Sequence, residues 1–297
     1  MRTSTSMKLP PVNGKHPPMR NRQIGIDIGG TGMKAGIVED GRLLQKIEEK
    51  VLANGSADEV VEQVKRLILR LGLDDITGIG IGIPGLVNPV TGVVYDVMNI
   101  PAWTELDLKG LLEKELGKPV ALNNDANCFA AAAFTLRQLR ERTSLLGVTL
   151  GTGMGTGIIW EGKLISGLHG GAGEFGLIEY REHNIEYYAS GRFFENVYGL
   201  NGVEVYQKAM QGDQRSLELY AELGFHFGNA VKTLLYALDI NYIILGGSVS
   251  AAWPLFRDAT LQQVGDFAYR QARESLVIET VQEMDAGIIG AAALVTL

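Results

Sequence analysis

Two short segments combine glycines with hydroxyl or carboxylate side chains in a way that suits phosphate binding. The first, residues 27–34, reads DIGGTGMK. Glycines let backbone N–H groups approach phosphate oxygens, Thr31 adds a hydroxyl, and the Asp27 carboxylate can hold hydrated Mg²⁺. The segment lacks the Gly-Lys-Ser/Thr ending of a Walker loop. We predict a phosphate-binding turn here, with an ordinary hairpin turn as the alternative.

The second segment, residues 150–157, reads LGTGMGTG. It lacks the Gly-x-Gly-x-x-Gly order, so it is weak evidence for a dinucleotide-binding fold. Two glycine turns in corresponding places suit a polyphosphate chain held between them, and a glycine-rich strand crossing without a ligand is the alternative. Met154, although inside this turn, is expected to pack inward.

A third polar cluster, residues 123–127 with the sequence NNDAN, stands where a strand is predicted to pass into a helix. Asp125 lies near the predicted helix N-terminus, where an N-cap role would explain it without any chemistry. Polar residues in a crevice between two halves also suit a polyol substrate. A carboxylate there could accept a hydroxyl proton as that oxygen attacks phosphorus.

Hydrophobic patterning indicates the elements that must position these residues. In the first half we predict strands over residues 23–28, 33–38, 43–51, 79–83 and 120–122, and helices over 57–71 and 106–116. In the second half we predict helices over 126–140, 217–238 and 288–295, strands over 145–150, 158–160 and 242–245, and a glycine turn over 151–157.

A strand, a glycine turn and a second strand thus occur twice, and alternating strands and helices indicate an α/β class with mixed sheets. Ligands in such folds bind at the carboxyl ends of strands and between domains. We predict a flexible tail over residues 1–22 and an N-terminal domain over 23–124 that includes the C-terminal helix 287–297. The C-terminal domain is predicted over 125–286.

Composition excludes several classes of protein. A single cysteine among 297 residues allows neither an internal disulfide nor a cysteine-cluster zinc site. The net charge of −7 argues against non-specific nucleic-acid binding. The uncharged runs 76–95 and 143–160 are interrupted by proline or diluted by glycine, so neither reads as a membrane span. The polar residues 1–21 lack the apolar core of a signal peptide, and we expect a cytoplasmic protein.

The motifs, taken in order, resemble those of the ROK family of sugar kinases and repressors, within the actin-like ATPase superfamily. The resemblance runs from about Gln23 to the C-terminus. It rests on the glycine segments above, on the cluster around Asp125, and on three further motifs: GIPG at 82–85, N-x-P-x-W at 99–103, and GAGE-x-G at 171–176.

This resemblance implies a two-domain actin-like (ribonuclease H-like) fold with an active-site cleft between the domains. It makes Asp125 the catalytic base and Asp27 the carboxylate on the side of Mg²⁺, through water. Contacts to the sugar are implied for Gly85, Asn99, Asn124, Asp125, Glu174 and Glu186. Contacts to ATP are implied for Asp27, Gly29, Gly30, Thr31, Lys34, Gly151, Thr152, Gly153, Gly246, Gly247 and Ser248.

The chain departs from the family pattern in two places. Many members have histidine after the Glu-x-Gly and then a cysteine-rich zinc loop, whereas here Leu177 follows Gly176 and Cys128 is the sole thiol. We therefore expect no structural zinc. The missing histidine removes one sugar contact, so the sequence leaves the preferred sugar open. His183 could partly replace the missing imidazole, although a surface role is the simpler explanation. Family repressors also carry a helix-turn-helix domain, for which the 22-residue leader is too short.

The leading hypothesis is an ATP- and Mg²⁺-dependent hexose kinase of the glucokinase type, with Asp125 deprotonating the primary hydroxyl. An N-acetylhexosamine, either N-acetylglucosamine or N-acetylmannosamine, is the alternative acceptor, and polyphosphate is the alternative donor. A non-catalytic sugar sensor is the third hypothesis, but it predicts loss of the base or of the glycine turns. The family resemblance favours a homodimer.

Overall fold

The computed structural model describes residues 21–97, 99–137, 143–281 and 285–297. Residues 1–20 of the predicted tail therefore lie outside the described residues, and Arg22 already belongs to the first strand. The proposed division into an N-terminal and a C-terminal domain is retained as a proposal.

The first half contains one five-stranded sheet, a small three-stranded sheet and two helices. Its elements are β1 (Arg22–Ile28), β2 (Gly32–Glu39), β3 (Arg42–Lys50), α1 (Ala57–Leu71), β4 (Ile76–Ile83), β5 (Leu86–Val87), β6 (Val93–Tyr95), β7 (Glu105–Asp107), α2 (Leu108–Leu116) and β8 (Val120–Asn124). Helix α1 begins at a capping box in which Ser56 and Glu59 satisfy each other's backbone N–H groups.

The second half repeats a five-stranded sheet and carries more helices. Its elements are α3 (Asp125–Arg137), β9 (Leu145–Leu150), β10 (Met154–Trp160), β11 (Lys163–Leu164), a 3₁₀ helix (Phe175–Leu177), β12 (Glu179–Tyr180), β13 (His183–Asn184), α4 (Ile185–Ala189), α5 (Phe193–Tyr198), α6 (Gly202–Met210), α7 (Gln214–Leu238), β14 (Tyr242–Gly246), a 3₁₀ helix (Ser248–Ala252), α8 (Trp253–Val264), α9 (Arg270–Ser275), β15 (Val277–Thr280) and α10 (Ala286–Ala293).

The two large sheets share one topology. The first has the order β3-β2-β1-β4-β8 and the second β11-β10-β9-β14-β15. Each sheet contains an antiparallel hairpin, β1–β2 in the first and β9–β10 in the second. The first strand of each hairpin also pairs in parallel with a later strand, β1 with β4 and β9 with β14. The parallel register brings Asp27 beside Gly82 and Ile83 beside Asn124, so polar chain ends meet at one edge of the first sheet.

Helices α3 and α10 pack against each other between the two sheets, α3 on β9 and β10 and α10 on β1 and β4. Small residues allow the close approach of these helices. A Cβ atom added at Gly290 would lie 1.8 Å from the carbonyl oxygen of Cys128, and one at Gly80 would lie 1.7 Å from that of Ala291. The two halves therefore meet through backbone rather than through long side chains.

Several predicted boundaries were wrong. The glycine turn expected over 151–157 ends earlier, because β10 already begins at Met154. Gly155 and Gly157 lie within this strand, where α3 leaves no room: a Cβ at Gly157 would lie 2.5 Å from the carbonyl oxygen of Ala126. The helix expected over 106–116 begins at Leu108, after β7, and helices α4, α5, α6, α8 and α9 were not predicted.

Among the described residues, no helix combines the length and apolar character needed to cross a membrane.

Candidate active site

The first site element is the end of β1. Asp27 pairs across the β1–β2 hairpin with Lys34 and is half-buried. Loss of surrounding water raises the pKa of Asp27, the positive charge of Lys34 opposes this, and the nearby charge of Asp125 raises it further. The N-terminus of α10 stands behind Asp27, since a Cβ at Gly287 would lie 2.5 Å from its Oδ2. Asp27 thus faces a second carboxylate with one lysine in support.

Asp125 is the first residue of α3. Its side chain does not cap the helix, although an N-cap role was the structural alternative predicted from the sequence. The N-cap bond comes from Asn124, whose Oδ1 accepts from the Asn127 N–H at 2.8 Å. Asp125 Oδ1 accepts from the adjacent Ala126 N–H at 2.9 Å, and its side chain is accessible from the cleft. Protein around the cleft displaces water and raises the pKa of Asp125, which its backbone hydrogen bonds partly oppose.

A buried amide network supports Asp125 from behind. Asn123 donates through Nδ2 to Ser166 Oγ at 2.8 Å, and its Oδ1 accepts from Asn127 Nδ2 at 2.8 Å. Ser166 lies in the loop between β11 and the first 3₁₀ helix, and that loop leads to Glu174. The network therefore ties the end of β8 and the start of α3 to the segment that carries a third carboxylate.

Glu174 and Glu186 complete a group of carboxylates around Asp125. Burial raises the pKa of Glu174, and the negative charges of Asp125 and Glu186 add to that effect. Three acidic side chains contributed by α3, by the 171–176 motif and by α4 thus lie within electrostatic reach of one another. Such a group accepts hydrogen bonds and suits a ligand with several hydroxyl donors.

The β1–β2 turn, residues 29–31, is exposed at its tip. Gly29 N–H donates to the Gly32 carbonyl at 2.8 Å, and a Cβ at Gly30 would lie 3.3 Å from Asn99 Nδ2. Asn99 stands in a turn that is anchored by the buried Trp103, whose Nε1 donates to the Ala57 carbonyl at 3.4 Å. The structure therefore brings the predicted sugar residue Asn99 against the predicted phosphate turn. Gly85 follows β4 at the same sheet edge and has a φ of 153°.

The β9–β10 turn, Gly151-Thr152-Gly153, is held from behind by the segment around α4. Met154 N–H donates to Glu186 Oε2 at 3.2 Å, Ser190 Oγ donates to the Thr152 carbonyl at 2.9 Å, and Gly191 N–H donates to the Gly151 carbonyl at 2.8 Å. Met154 itself is buried, as predicted. We call this three-residue turn the second glycine turn.

A cavity of about 770 Å³ opens beside the second glycine turn. Aromatic and aliphatic side chains from Phe194, Tyr206, Tyr220 and Val249 line it, together with residues 199–203 and the polar Arg192, Glu195 and Ser248. The sequence predicted the contributions of Gly151, Thr152 and Ser248 to this cavity but not the walls from α5 and α6, because those helices carry no phosphate-binding signature. In the predicted nucleotide segment 246–248, Gly246 packs against the Phe129 ring, and Gly247 approaches the Leu150 carbonyl.

The region of the missing zinc loop is occupied by the β12–β13 hairpin. His183 is exposed there and stacks on Tyr187, with ring centroids 3.8 Å apart. The buried imidazole of this region is that of His226 on α7, which sequence reasoning did not single out. Within the described parts of the chain, no group of three or more His, Cys, Asp or Glu side chains is arranged to hold a metal ion.

Known proteins resemble this chain over nearly its whole length. The family model described as "ROK family" matches residues 23–297. The chain is 32% identical to the N-acetyl-D-glucosamine kinase of Pasteurella multocida, over 91% of this chain and 98% of that protein. It is 28% identical to the glucokinase of Thermotoga maritima, over 92% of this chain and 96% of that one.

A solved structure of a relative has the same fold as this chain. The structure of a ROK family glucokinase from Streptomyces griseus, in complex with glucose and AMPPNP, superposes with a TM-score of 0.72 at 27% identity. The match covers 92% of this chain and 99% of that one. The α/β fold and the family expected from the motifs are thereby confirmed, whereas the roles of individual site residues stay predictions.

Proposed function

The chain belongs to the ROK family, and we propose that this member transfers the γ-phosphoryl group of ATP to the primary hydroxyl of a hexose, glucose being the first candidate. The observation that supports this best is the position of Asp125. It is freed from helix capping by Asn124, is accessible from the cleft, and lies within electrostatic reach of Asp27 on the donor side and Glu174 on the acceptor side.

The acceptor sugar is proposed to lie over Asn99, Asn124, Asp125, Glu174 and Glu186, near the turn at Gly85. A carboxylate with a raised pKa is a stronger base than an ordinary aspartate, so Asp125 suits the removal of a hydroxyl proton. The proton moves to the Asp125 carboxylate as the hydroxyl oxygen bonds to the γ-phosphorus and the bond to the β-phosphate oxygen breaks. Because phosphoryl transfer is loose, positioning matters more than basicity.

The donor is proposed to be ATP. The cavity beside the second glycine turn has aromatic walls that suit a nucleobase, and Gly151 and Thr152 at its edge are placed to receive the phosphates. Gly29, Gly30, Thr31 and Lys34 would face the same phosphates from the other half. A polyphosphate donor has no use for aromatic walls, so the cavity favours ATP over that alternative.

The donor set also fits a magnesium ion. Burial raises the pKa of Asp27, the positive charge of Lys34 opposes this, and the negative charge of Asp125 raises the pKa further. Asp27 would hold Mg²⁺ through water, and the ion would supply charge neutralisation on the β- and γ-phosphates. The residues of the chain orient the two substrates, and closure of the cleft would exclude water as a competing acceptor.

An N-acetylhexosamine is the second candidate acceptor, because the 32% identical Pasteurella multocida relative is named an N-acetyl-D-glucosamine kinase. Leu177 in place of an imidazole also leaves the sugar contacts of this chain different from the family pattern. A non-catalytic sugar sensor is less well supported, since the base and both glycine turns are present.

The decisive experiment measures acceptor-dependent ADP release with ATP and Mg²⁺. The acceptors are glucose, mannose, fructose, allose, N-acetylglucosamine and N-acetylmannosamine, and the Asp125→Asn variant is the blank. We expect one or two of them to stimulate release strongly in the wild type only. No stimulation by any acceptor would reject the kinase proposal and favour the sensor.

A further inference from the structure

Ser190 is not among the residues assigned to the sugar or to the nucleotide. Its side chain is 1% exposed, at the end of α4. The hydroxyl donates to the Thr152 carbonyl at 2.9 Å and accepts from the Arg192 N–H at 3.3 Å. Both roles of the hydroxyl are therefore used inside the protein, and one of them reaches the second glycine turn.

The neighbouring residue acts on the same turn. Gly191 N–H donates to the Gly151 carbonyl at 2.8 Å, and a Cβ at Gly191 would lie 2.6 Å from that oxygen. Two successive carbonyls of the second glycine turn are thus both bound by one segment. Each of these two peptide planes is held by its own hydrogen bond, which restricts its rotation.

The planarity of the peptide bond determines where the N–H groups next to these carbonyls point. In a trans peptide the N–H points away from the carbonyl of the same plane. The Gly151 carbonyl shares its plane with the Thr152 N–H, and the Thr152 carbonyl shares its plane with the Gly153 N–H. Because Ser190 and Gly191 hold both carbonyls from behind, these two N–H groups are turned to the opposite side of the turn.

That side suits an anion. Thr152 is exposed, and Gly151 and Thr152 line the cavity assigned to the nucleotide. Adjacent N–H groups that point in one direction form an anion-binding concavity. We propose that Ser190 is a positioning residue: its hydroxyl orients the second glycine turn so that the Thr152 and Gly153 N–H groups face the phosphates of the donor. This inference rests on the proposed function, since it presupposes a nucleotide in that cavity.

The test uses Ser190→Ala in the full chain, with binding of AMPPNP and Mg²⁺ measured by isothermal titration calorimetry. Loss of one buried hydrogen bond is expected to weaken AMPPNP binding by about fivefold to tenfold. In steady-state assays KM for ATP should rise while KM for the acceptor stays unchanged. Ser190→Thr, which keeps the hydroxyl, should restore binding to near the wild-type value.

Thr260→Val is the matched control for loss of a buried hydroxyl. Thr260 lies on α8, where its Oγ1 is 2.9 Å from the Phe256 carbonyl oxygen and 3.1 Å from that of Gly224, so its one proton is shared between two acceptors, neither of them in the second glycine turn. This variant is expected to bind AMPPNP as the wild type does, and melting curves of all variants show whether each one is folded.

Three outcomes would overturn the inference. Ser190→Ala could bind AMPPNP with unchanged affinity, Thr260→Val could lose as much affinity, or KM for the acceptor could rise in parallel with KM for ATP. An unchanged affinity in Ser190→Ala, with a wild type that binds AMPPNP, rejects only the positioning role. A wild type that binds no AMPPNP rejects the proposed function and this inference together.

Discussion

At the scale of single residues, Asn124 caps helix α3, and the neighbouring Asp125 therefore keeps its carboxylate for another role. Either residue type satisfies a helix N-terminus. Here the amide oxygen of Asn124 takes the bond to the Asn127 N–H, so the carboxylate of Asp125 is not needed for that purpose. The side chain instead remains accessible from the cleft, in surroundings that raise its pKa.

Asp125→Asn is expected to lower kcat by at least about 100-fold, because an amide cannot take up the hydroxyl proton. Binding of sugar and AMPPNP should persist, since the amide keeps the shape of the side chain and its bond to the Ala126 N–H. Coupled ADP-release kinetics and calorimetry measure the two quantities separately. Turnover near the wild-type rate in this variant would remove Asp125 from the mechanism.

At the scale of elements, α4 is the connection between the site and an aromatic cluster. It carries Glu186, which belongs to the carboxylate group of the site, and the buried Tyr188, whose ring lies 5.1 Å from that of His226 on α7. His226 is 2% exposed, and its Nδ1 lies 3.1 Å from the Tyr180 hydroxyl on β12. The cluster therefore joins α4, α7 and the β12–β13 hairpin.

This cluster predicts a dependence of stability on pH. Burial lowers the pKa of His226 to about 4, with the charge of Arg181 adding to the effect and Glu222 opposing it. The unfolded chain, with an ordinary histidine pKa near 6.5, binds a proton that the folded protein does not bind between these values. The free energy of unfolding should therefore fall as pH drops from about 6.5 to 4, by up to about 3 kcal/mol from this residue.

The measurement is urea unfolding between pH 4 and 7 for the wild type and His226→Phe. The variant should be less stable at pH 7, because the hydrogen bond between Tyr180 and His226 is lost, but its stability should fall less steeply toward pH 4. His183→Gln is the control, since it removes an exposed histidine from the same region. Parallel pH profiles of the wild type and His226→Phe would contradict the assignment.

At the scale of the whole molecule, the contact between α3 and α10 links the two sheets. Each of these helices follows the last strand of one sheet and packs on the other sheet. α3 begins with Asp125, and the start of α10 stands behind Asp27. The spacing of the two helices therefore sets the spacing of the proposed base and the proposed magnesium-side carboxylate.

Gly290→Ala tests this arrangement, because its Cβ would meet the Cys128 carbonyl, a backbone atom that cannot move alone. We expect stability to fall by about 1–3 kcal/mol and kcat to fall with it, as the helices separate. Gly171→Ala is the control, since a Cβ there meets no atom within 4 Å. Thermal stability should fall in Gly290→Ala but not in Gly171→Ala, and ADP release should fall in Gly290→Ala. Wild-type stability and kcat in Gly290→Ala would show that the contact tolerates expansion.

The local pattern of the sequence was enough to determine most strands and helices near the site, and helix α1 was predicted with the bounds that the structure has. Periodicity and glycine turns are local properties, so they can be read from neighbouring residues. The ordered motifs were likewise enough to indicate the family, which the match of the family model over residues 23–297 confirms.

Only the tertiary structure decided how those motifs meet. The grouping of Asp27, Asp125, Glu174 and Glu186, the aromatic cavity, and the hold of Ser190 on the second glycine turn join residues far apart in the chain. The same holds for Gly155 and Gly157, which read as a turn but lie in β10 because α3 packs against them. Contacts of this kind depend on which elements pack together, and no local pattern in the sequence records that.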